Sequence, residues 1–210
     1  MSKFPMRFLP FISMVLVLSG CNTLYSHLPR MESRAPCLEK FRPGFGSAIY
    51  RAGIDVTSKH LSGILIIKAM PDSSIRLVFT SENGYIFFDL SFLAGGGFKV
   101  YSINEKMNKK AVIKTLRKDF ELVLMQHLRE HKTYSLKGDG LVYTAFPQTK
   151  GYYYYLTDSA CNRLISMQRA SSSKVVVEAM MRMDQGSIPD TIGISHKNFN
   201  FDISLKKLPN

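Results

Sequence analysis

The sequence contains no tryptophan, only three cysteines and fewer acidic than basic residues, with 16 Asp and Glu against 28 Lys and Arg. It lacks the Gly-x-Ser-x-Gly motif of serine hydrolases. Its glycine run, Gly95-Gly96-Gly97, has no following Lys-Ser or Lys-Thr that would make a phosphate-binding loop. Beyond residue 20, no apolar run approaches the roughly 20 residues that a membrane-spanning helix needs. We expect a protein that is not an enzyme and that uses no cofactor or metal ion.

The N-terminus has the features of a secretory signal. Lys3 and Arg7 make it positively charged, and the apolar stretch Leu9–Leu18 follows, too short to span a membrane. The next segment, Leu18-Ser19-Gly20-Cys21, resembles the lipobox of bacterial lipoproteins. That resemblance implies cleavage before Cys21 and lipidation of its thiol and new amino group. The alternative is an ordinary signal peptide with a chance cysteine.

The residue after the lipidated cysteine bears on the destination of such a lipoprotein. The best-known sorting rule retains a lipoprotein in the inner membrane when that residue is aspartate, and here it is Asn22. We therefore expect a lipid-anchored protein of the outer membrane, on its periplasmic face. Membrane attachment through two or more acyl chains is stable because each buried methylene contributes about 0.8 kcal/mol.

The formal net charge is +12, and removal of Lys3 and Arg7 with the signal leaves +10. A basic balance suits anionic headgroups, lipid phosphates or nucleic acid. Export argues against nucleic acid, so we expect no nucleic-acid partner. The alternative is a basic surface that only keeps the protein soluble.

With Cys21 lipidated, Cys37 and Cys161 remain. Cysteines in an oxidising compartment usually pair, so we expect a Cys37–Cys161 disulfide; the alternative is two free, buried thiols. Residues 22–36 combine Ser, Asn, Pro and Arg with few apolar positions and predict an extended or poorly ordered tether. The expected organisation is a signal peptide at 1–20, a lipidated tether at 21–40 and one folded domain at 41–210.

The folded part begins with strands. Period-two alternation, continuous β-prone runs and turns such as Asn83-Gly84 predict about eleven strands in antiparallel order. One segment, from Lys109 to about Arg129, instead has apolar residues at spacings of three and four, which predicts an amphipathic helix capped by Asn108.

A sheet of so many strands must curl, and the helix is suited to cover its concave face. The predicted fold class is therefore mainly β, an unclosed antiparallel barrel with a helical lid and an apolar cavity. The residues expected to line that cavity are Ile66, Phe79, Phe87, Leu116, Phe120 and Met181.

This order of elements resembles the lipoprotein-localisation fold of LolA and LolB. The segments that carry the resemblance are Gly63–Lys68, Ile75–Phe79, Gly84–Leu90, Ile188–Ile194 and Phe199–Leu205. The resemblance implies a half-barrel whose cavity receives acyl chains of lipoproteins, and the lipid anchor matches the receptor LolB. The receptor's exposed apolar loop residue has no clear counterpart here, because the turns Pro71–Ser74 and Ser81–Gly84 are polar; Phe92 and Leu93 are the candidates to replace it.

Two functions remain open. The first is an outer-membrane lipoprotein that binds acyl chains or lipoproteins, with a role in lipoprotein localisation. The second is a non-catalytic assembly or scaffold lipoprotein that binds a protein partner. The segment His127-Leu128-Arg129-Glu130-His131 matches the H-x-x-E-H pattern of inverted zinc proteases, but we interpret it as an ordinary helix end. The run Tyr152–Tyr155 could stack on sugars, but consecutive tyrosines in a strand more often cover both faces of a sheet.

Overall fold

A computed structural model describes residues 24–184 and 186–209. In these residues one antiparallel sheet of thirteen strands forms the body of the protein. The strands in chain order are β1 Arg30–Met31, β2 Ser47–Val56, β3 Lys59–Ala69, β4 Ile75–Thr80, β5 Ile86–Phe92, β6 Phe98–Ile103, β7 Tyr134–Gly138, β8 Leu141–Pro147, β9 Tyr152–Asp158, β10 Leu164–Ala170, β11 Val175–Arg182, β12 Thr191–His196 and β13 Phe201–Lys207. The helices are α1 Ala35–Leu38 and α2 Lys110–Val123, with short 3₁₀ segments at Glu39–Phe41, Glu105–Met107 and Gln126–Arg129.

The spatial order of the strands is β1-β7-β8-β9-β10-β11-β12-β13-β2-β3-β4-β5-β6. Strands β2 to β6 form one meander and strands β7 to β13 form a second, and β13 joins them by pairing with β2. Helix α2 is the crossover that carries the chain from β6, at one edge of the sheet, to β7 near the other. Because β6 and β1 are the two ends of this order, the curled sheet stays unclosed.

The predicted fold class is confirmed: the protein is mainly β, an unclosed antiparallel barrel with a helical lid. The sheet has two strands more than predicted, β1 and β7. Both are short and lie at one edge of the sheet. They pair with each other, Arg30 with Leu136 and Met31 with Ser135, so the pairing joins residues about a hundred positions apart in the sequence. Sequence periodicity cannot reveal such short strands, because two to five residues give too few repeats to define a period.

Helix α2 is shorter at both ends than the sequence predicts. Its N-cap is Lys109, which makes no side-chain capping bond, rather than Asn108, which ends the preceding 3₁₀ segment. It ends at Val123, because Met125 adopts a left-handed conformation with φ of 51°. The chain continues from there as the 3₁₀ segment. No helix within the described ranges combines the length and the apolarity needed to cross a bilayer.

The segment just after the expected lipidation site differs from the extended tether that the sequence predicts. The Tyr25 ring packs 4.6 Å from that of Tyr143 and 5.1 Å from that of Tyr154, and its hydroxyl donates a 2.7 Å hydrogen bond to Gln168. Leu24 and Leu28 join the same apolar cluster on the outer face of the second meander. Residues 24–31 are therefore part of the folded body, because these three apolar side chains give the segment enough surface to bury.

The disulfide between Cys37 and Cys161, expected from the sequence, is present in the structure. It joins α1 to the turn between β9 and β10 across 124 residues of sequence, with the two Cα atoms 6.5 Å apart. Both cysteines belong to or border the main apolar core. The bond therefore fixes the start of the domain to the second meander.

We predict that the double variant Cys37→Ser/Cys161→Ser loses about 2–5 kcal/mol of unfolding free energy, because the unfolded chain is no longer constrained by so long a loop. Equilibrium urea denaturation measures this loss. Reduced wild-type protein should show the same loss, and reductant should leave the double variant unaffected. Equal stability of oxidised wild type and double variant would contradict the prediction.

Candidate functional site

The inner face of the sheet and helix α2 together form the apolar interior of the domain. Leu116, Phe120 and Val123 lie at spacings of four and three on α2, and each is at most 1% exposed. The Phe120 ring contacts that of Phe88 on β5 at 6.3 Å between centroids. The Tyr155 hydroxyl of β9 donates a 3.3 Å hydrogen bond to the carbonyl oxygen of Leu122. The helix thus touches both meanders and covers the space between them.

Five of the six residues predicted to line a cavity lie in or against this interior. Phe79, Leu116 and Phe120 belong to the fully buried core, whereas Phe87 and Met181 are half-buried and pack against it. Phe87 stacks on Phe79 with ring centroids 4.8 Å apart. In the described structure these side chains belong to one apolar cluster, and Phe79, Leu116 and Phe120 are at most 1% exposed, so the interior around them is packed rather than hollow. A ligand of acyl-chain size therefore requires α2 to move away from the sheet.

Ile66, the sixth residue, is not brought to the interior. On β3 the buried inward positions are Leu65 and Ile67, and Ile66 projects from the opposite face. Its neighbours across the strands are Ile49 and Val78, which lie on that same outer face. The prediction failed for Ile66 because both faces of this strand are apolar. The sequence pattern therefore did not indicate which of the two alternating sets of side chains points inward.

A buried ionic cluster holds α2 to the sheet. The Asp119 side chain is completely buried, and its carboxylate lies 2.8 Å from Nε2 of His196 and accepts a 3.3 Å hydrogen bond from Nη2 of Arg169. The strand register places Arg169 of β10 and His196 of β12 in one row, with Val177 of β11 between them. Both partners of Asp119 therefore lie beneath the helix. A buried carboxylate without partners would be strongly unfavourable, and here it has two.

Sequence reasoning missed this cluster, although the helix pattern contains a signal for it. Asp119 lies three residues after Leu116 and immediately before Phe120, so it falls on the apolar stripe of α2 rather than on the polar face. A carboxylate at such a position predicts a buried partner. Which residues provide that partner depends on strand register, which the sequence does not show.

Two cavities open beside α2. The larger is an open groove of about 660 Å³ between the outer side of the helix, edge strand β6 and the turn after β8. We call it the cationic groove; it is defined by Lys110, Lys114, Arg117, Lys118, Phe98 and Tyr153. The smaller, of about 440 Å³, lies between the Gly95–Gly97 loop and the residues after the helix. The cationic groove is lined from both meanders, by Phe98 of β6 and Tyr153 of β9, so it lies at the unclosed side where the two meanders face each other.

The H-x-x-E-H segment does not form a metal site. Residues 126–129 are 3₁₀ rather than α-helical, so His127 and His131 do not share a helix face. Nδ1 of His127 instead lies 2.6 Å from a carboxylate oxygen of Glu130. Within residues 24–184 and 186–209, no group of three or more His, Cys, Asp or Glu side chains is arranged to hold a metal ion.

The fold is similar to that of solved bacterial structures. One is a domain from Vibrio parahaemolyticus described as an outer membrane lipoprotein-sorting protein, with 9% sequence identity and a TM-score of 0.50; the match covers 83% of this chain and 90% of that one. Another is a LolA superfamily protein from Nitrosomonas europaea, with 7% identity and a TM-score of 0.51; the match covers 85% and 93%. No protein-family model and no curated protein sequence matches the chain. The likeness shows the LolA/LolB-like fold alone.

We predict that Asp119→Ala destabilises the protein by about 3–5 kcal/mol, because it leaves the Arg169 charge buried without its carboxylate. Urea denaturation measures the loss, and hydrogen exchange should show faster opening of α2 than of strands β2 and β3. Asp184→Ala is the matched control, since it removes the carboxylate of an exposed pair with Arg182 and should change stability little. Similar losses in the two variants would contradict a specific role for the buried cluster.

Proposed function

We propose that this chain, which has the LolA/LolB-like fold, is a lipid-anchored outer-membrane protein that holds acyl chains of lipids or lipoproteins between its sheet and helix α2, without catalysing a reaction. The observation that carries the proposal is the amphipathic helix lying across the inner face of an unclosed sheet. That inner face is apolar on both meanders, as Phe79, Phe88 and Phe120 illustrate. Apolar interiors at the mouths of half-open barrels suit apolar ligands.

The way α2 is attached supports entry of a ligand beneath it. The backbone of each strand pairs with its neighbouring strands, whereas α2 is held to the sheet by side-chain contacts, so the helix can rise without breaking a strand pair. The unpaired edges at β6 and β1 leave one side of the barrel open to an incoming chain. Acyl chains would replace the contacts that Leu116 and Phe120 make with the sheet, exchanging one apolar surface for another.

Anchoring is a further part of this proposal. Cys21, the expected lipidation site, lies outside the described residues, whereas the chain from Leu24 onward packs on the outer face of the second meander. Only Asn22 and Thr23 separate the cysteine from this packed segment. Lipidation at Cys21 would therefore hold the folded body close to the bilayer, within reach of membrane lipids.

A second candidate function is a scaffold that binds a protein partner. It is favoured by the filled interior and by exposed apolar side chains near edge strand β6, namely Tyr85, Ile86 and Tyr101, which are 53%, 42% and 50% exposed. An unpaired edge strand can also add a strand from another chain. We rank this candidate second because it gives no role to the amphipathic lid.

The proposal predicts that an acyl chain reaches position 120. With Phe120 replaced by the photo-crosslinker p-benzoylphenylalanine, illumination with a biotinylated tripalmitoylated lipopeptide should give a crosslinked product, detected by blotting for biotin. Phe199, which is 52% exposed in the turn between β12 and β13, is the matched control for the same replacement and should crosslink several-fold less.

Leu116 provides a second interior position for the crosslinker, in case the larger side chain at position 120 prevents folding. Crosslinking at positions 116 and 120 that is no stronger than at 199 would count against binding beneath the lid. Purified protein of each variant should first give the circular dichroism spectrum of the wild type.

A further inference from the structure

The cationic groove has a ligand-sized volume and a strong excess of positive charge. Its volume of about 660 Å³ falls within the range usual for small-molecule sites, roughly 300–1,000 Å³. Among the described residues that line it, one is acidic and five are cationic: Lys110, Lys114, Arg117, Lys118 and Lys150. The single carboxylate, Glu121, is already paired with Arg117 at 2.6 Å. The remaining lysines therefore face the groove without compensation from its own walls.

Lys118 shows the effect of this excess of positive charge most clearly. It is half-buried on α2, and burial lowers the pKa of its amine, with the charges of Arg169 and Lys114 adding to the effect. Each of these effects disfavours the ammonium form. An anion bound in the groove would offset the electrostatic part of that penalty and favour the ammonium form of Lys118.

The floor of the groove is apolar and offers a hydrogen-bond donor. Phe98, Ile113 and Tyr153 line it, so it is not a simple pocket for an ion. Tyr153 is 3% exposed, and its hydroxyl lies beside Glu121 but makes no hydrogen bond of normal geometry. Burial, and then the charge of Glu121, raise the pKa of this phenol, which keeps it protonated and able to donate. Such a buried, unbonded hydroxyl gains when a ligand oxygen reaches it.

The position of the groove connects it to the interior. One wall is α2, whose opposite side covers the core, and the other walls are edge strand β6 and the turn Gln148–Lys150. A molecule with its apolar chains beneath α2 and its head at the open side of the barrel would place that head here. Lysine ammonium groups and an arginine guanidinium together are suited to a phosphate group.

We propose that the cationic groove binds the phosphate-bearing head of an anionic amphiphile whose acyl chains lie beneath α2. This inference rests on the proposed function for the chains, and it adds the chemical class of the ligand. The phosphate contacts Lys114, Lys118 and Arg117, the apolar floor packs on the glycerol or proximal methylene groups, and Tyr153 donates to a polar oxygen of the head.

Calorimetric titration of the full-length protein in uncharged maltoside micelles tests the proposal with three probes: dihexanoyl-phosphatidylglycerol, dihexanoyl-phosphatidylcholine and inorganic phosphate. We expect phosphatidylglycerol to bind at least about tenfold more tightly than either of the others, which corresponds to about 1.4 kcal/mol. The variant Lys114→Glu/Lys118→Glu should lower the phosphatidylglycerol affinity by about tenfold or more, to the level of phosphatidylcholine. The milder variant Lys114→Gln/Lys118→Gln should give a smaller loss in the same direction.

The matched control is Lys59→Glu/Lys206→Glu, which makes the same change of net charge with two exposed lysines outside the groove. It should leave the affinity nearly unchanged. Three outcomes would overturn the proposal: equal binding of phosphatidylcholine, phosphate binding as tight as phosphatidylglycerol, or equal loss in the control and groove variants. Equal binding of phosphatidylcholine would mean that the groove has no headgroup preference. Phosphate binding as tight as phosphatidylglycerol would mean that the groove is a site for free anions. Equal loss in the control would mean that the groove lysines act only through long-range attraction.

The crosslinking experiment at position 120 separates this proposal from the one on which it rests. If only the headgroup site is wrong, the lipopeptide still crosslinks at position 120 while Lys114→Glu/Lys118→Glu leaves lipid affinity unchanged. If acyl binding itself is wrong, the lipopeptide crosslinks at position 120 no more strongly than at position 199.

Discussion

The structure depends on covering the inner face of a sheet that does not close. Thirteen strands curl but leave β6 and β1 as separate edges, so the apolar residues of both meanders would meet water without a lid. Helix α2 meets this need with the stripe of Leu116, Phe120 and Val123. Burial of each such side chain contributes about 1.5–3 kcal/mol, which adds to the β13–β2 pairing that joins the two meanders.

The buried cluster around Asp119 gives that cover a defined position. An apolar stripe alone could slide along an apolar sheet, but a buried carboxylate must meet His196 and Arg169 or pay a large desolvation cost. Buried ion pairs add little net stability compared with apolar packing, so we interpret this cluster as setting the register of the helix rather than its affinity for the sheet.

The two sides of α2 have different chemistry, and the proposed functions use both. Its inner side is apolar and covers the core, whereas its outer side presents Lys110, Lys114 and Lys118 to the groove at the open side of the barrel. A membrane lipid has the same division between apolar chains and charged head. In the proposed complex, α2 is therefore more than a cover, because it separates the acyl chains of one bound lipid from its charged head.

The sequence alone was sufficient to predict the fold class, the eleven strands other than β1 and β7, and the helix, because periods of two and of 3.6 residues reflect which side of each element is buried. The expectation of an oxidising compartment favoured a Cys37–Cys161 pair over two free thiols, and the structure contains that disulfide. Tertiary structure decided the rest. Strand β7 and the packing of Tyr25 depend on contacts between residues far apart in the sequence. Both faces of β3 are apolar, and only the tertiary structure decides which face meets the core and that Ile66 lies on the other. The meeting of Asp119, Arg169 and His196 depends on the register of three strands beneath α2, and no local pattern contains that information.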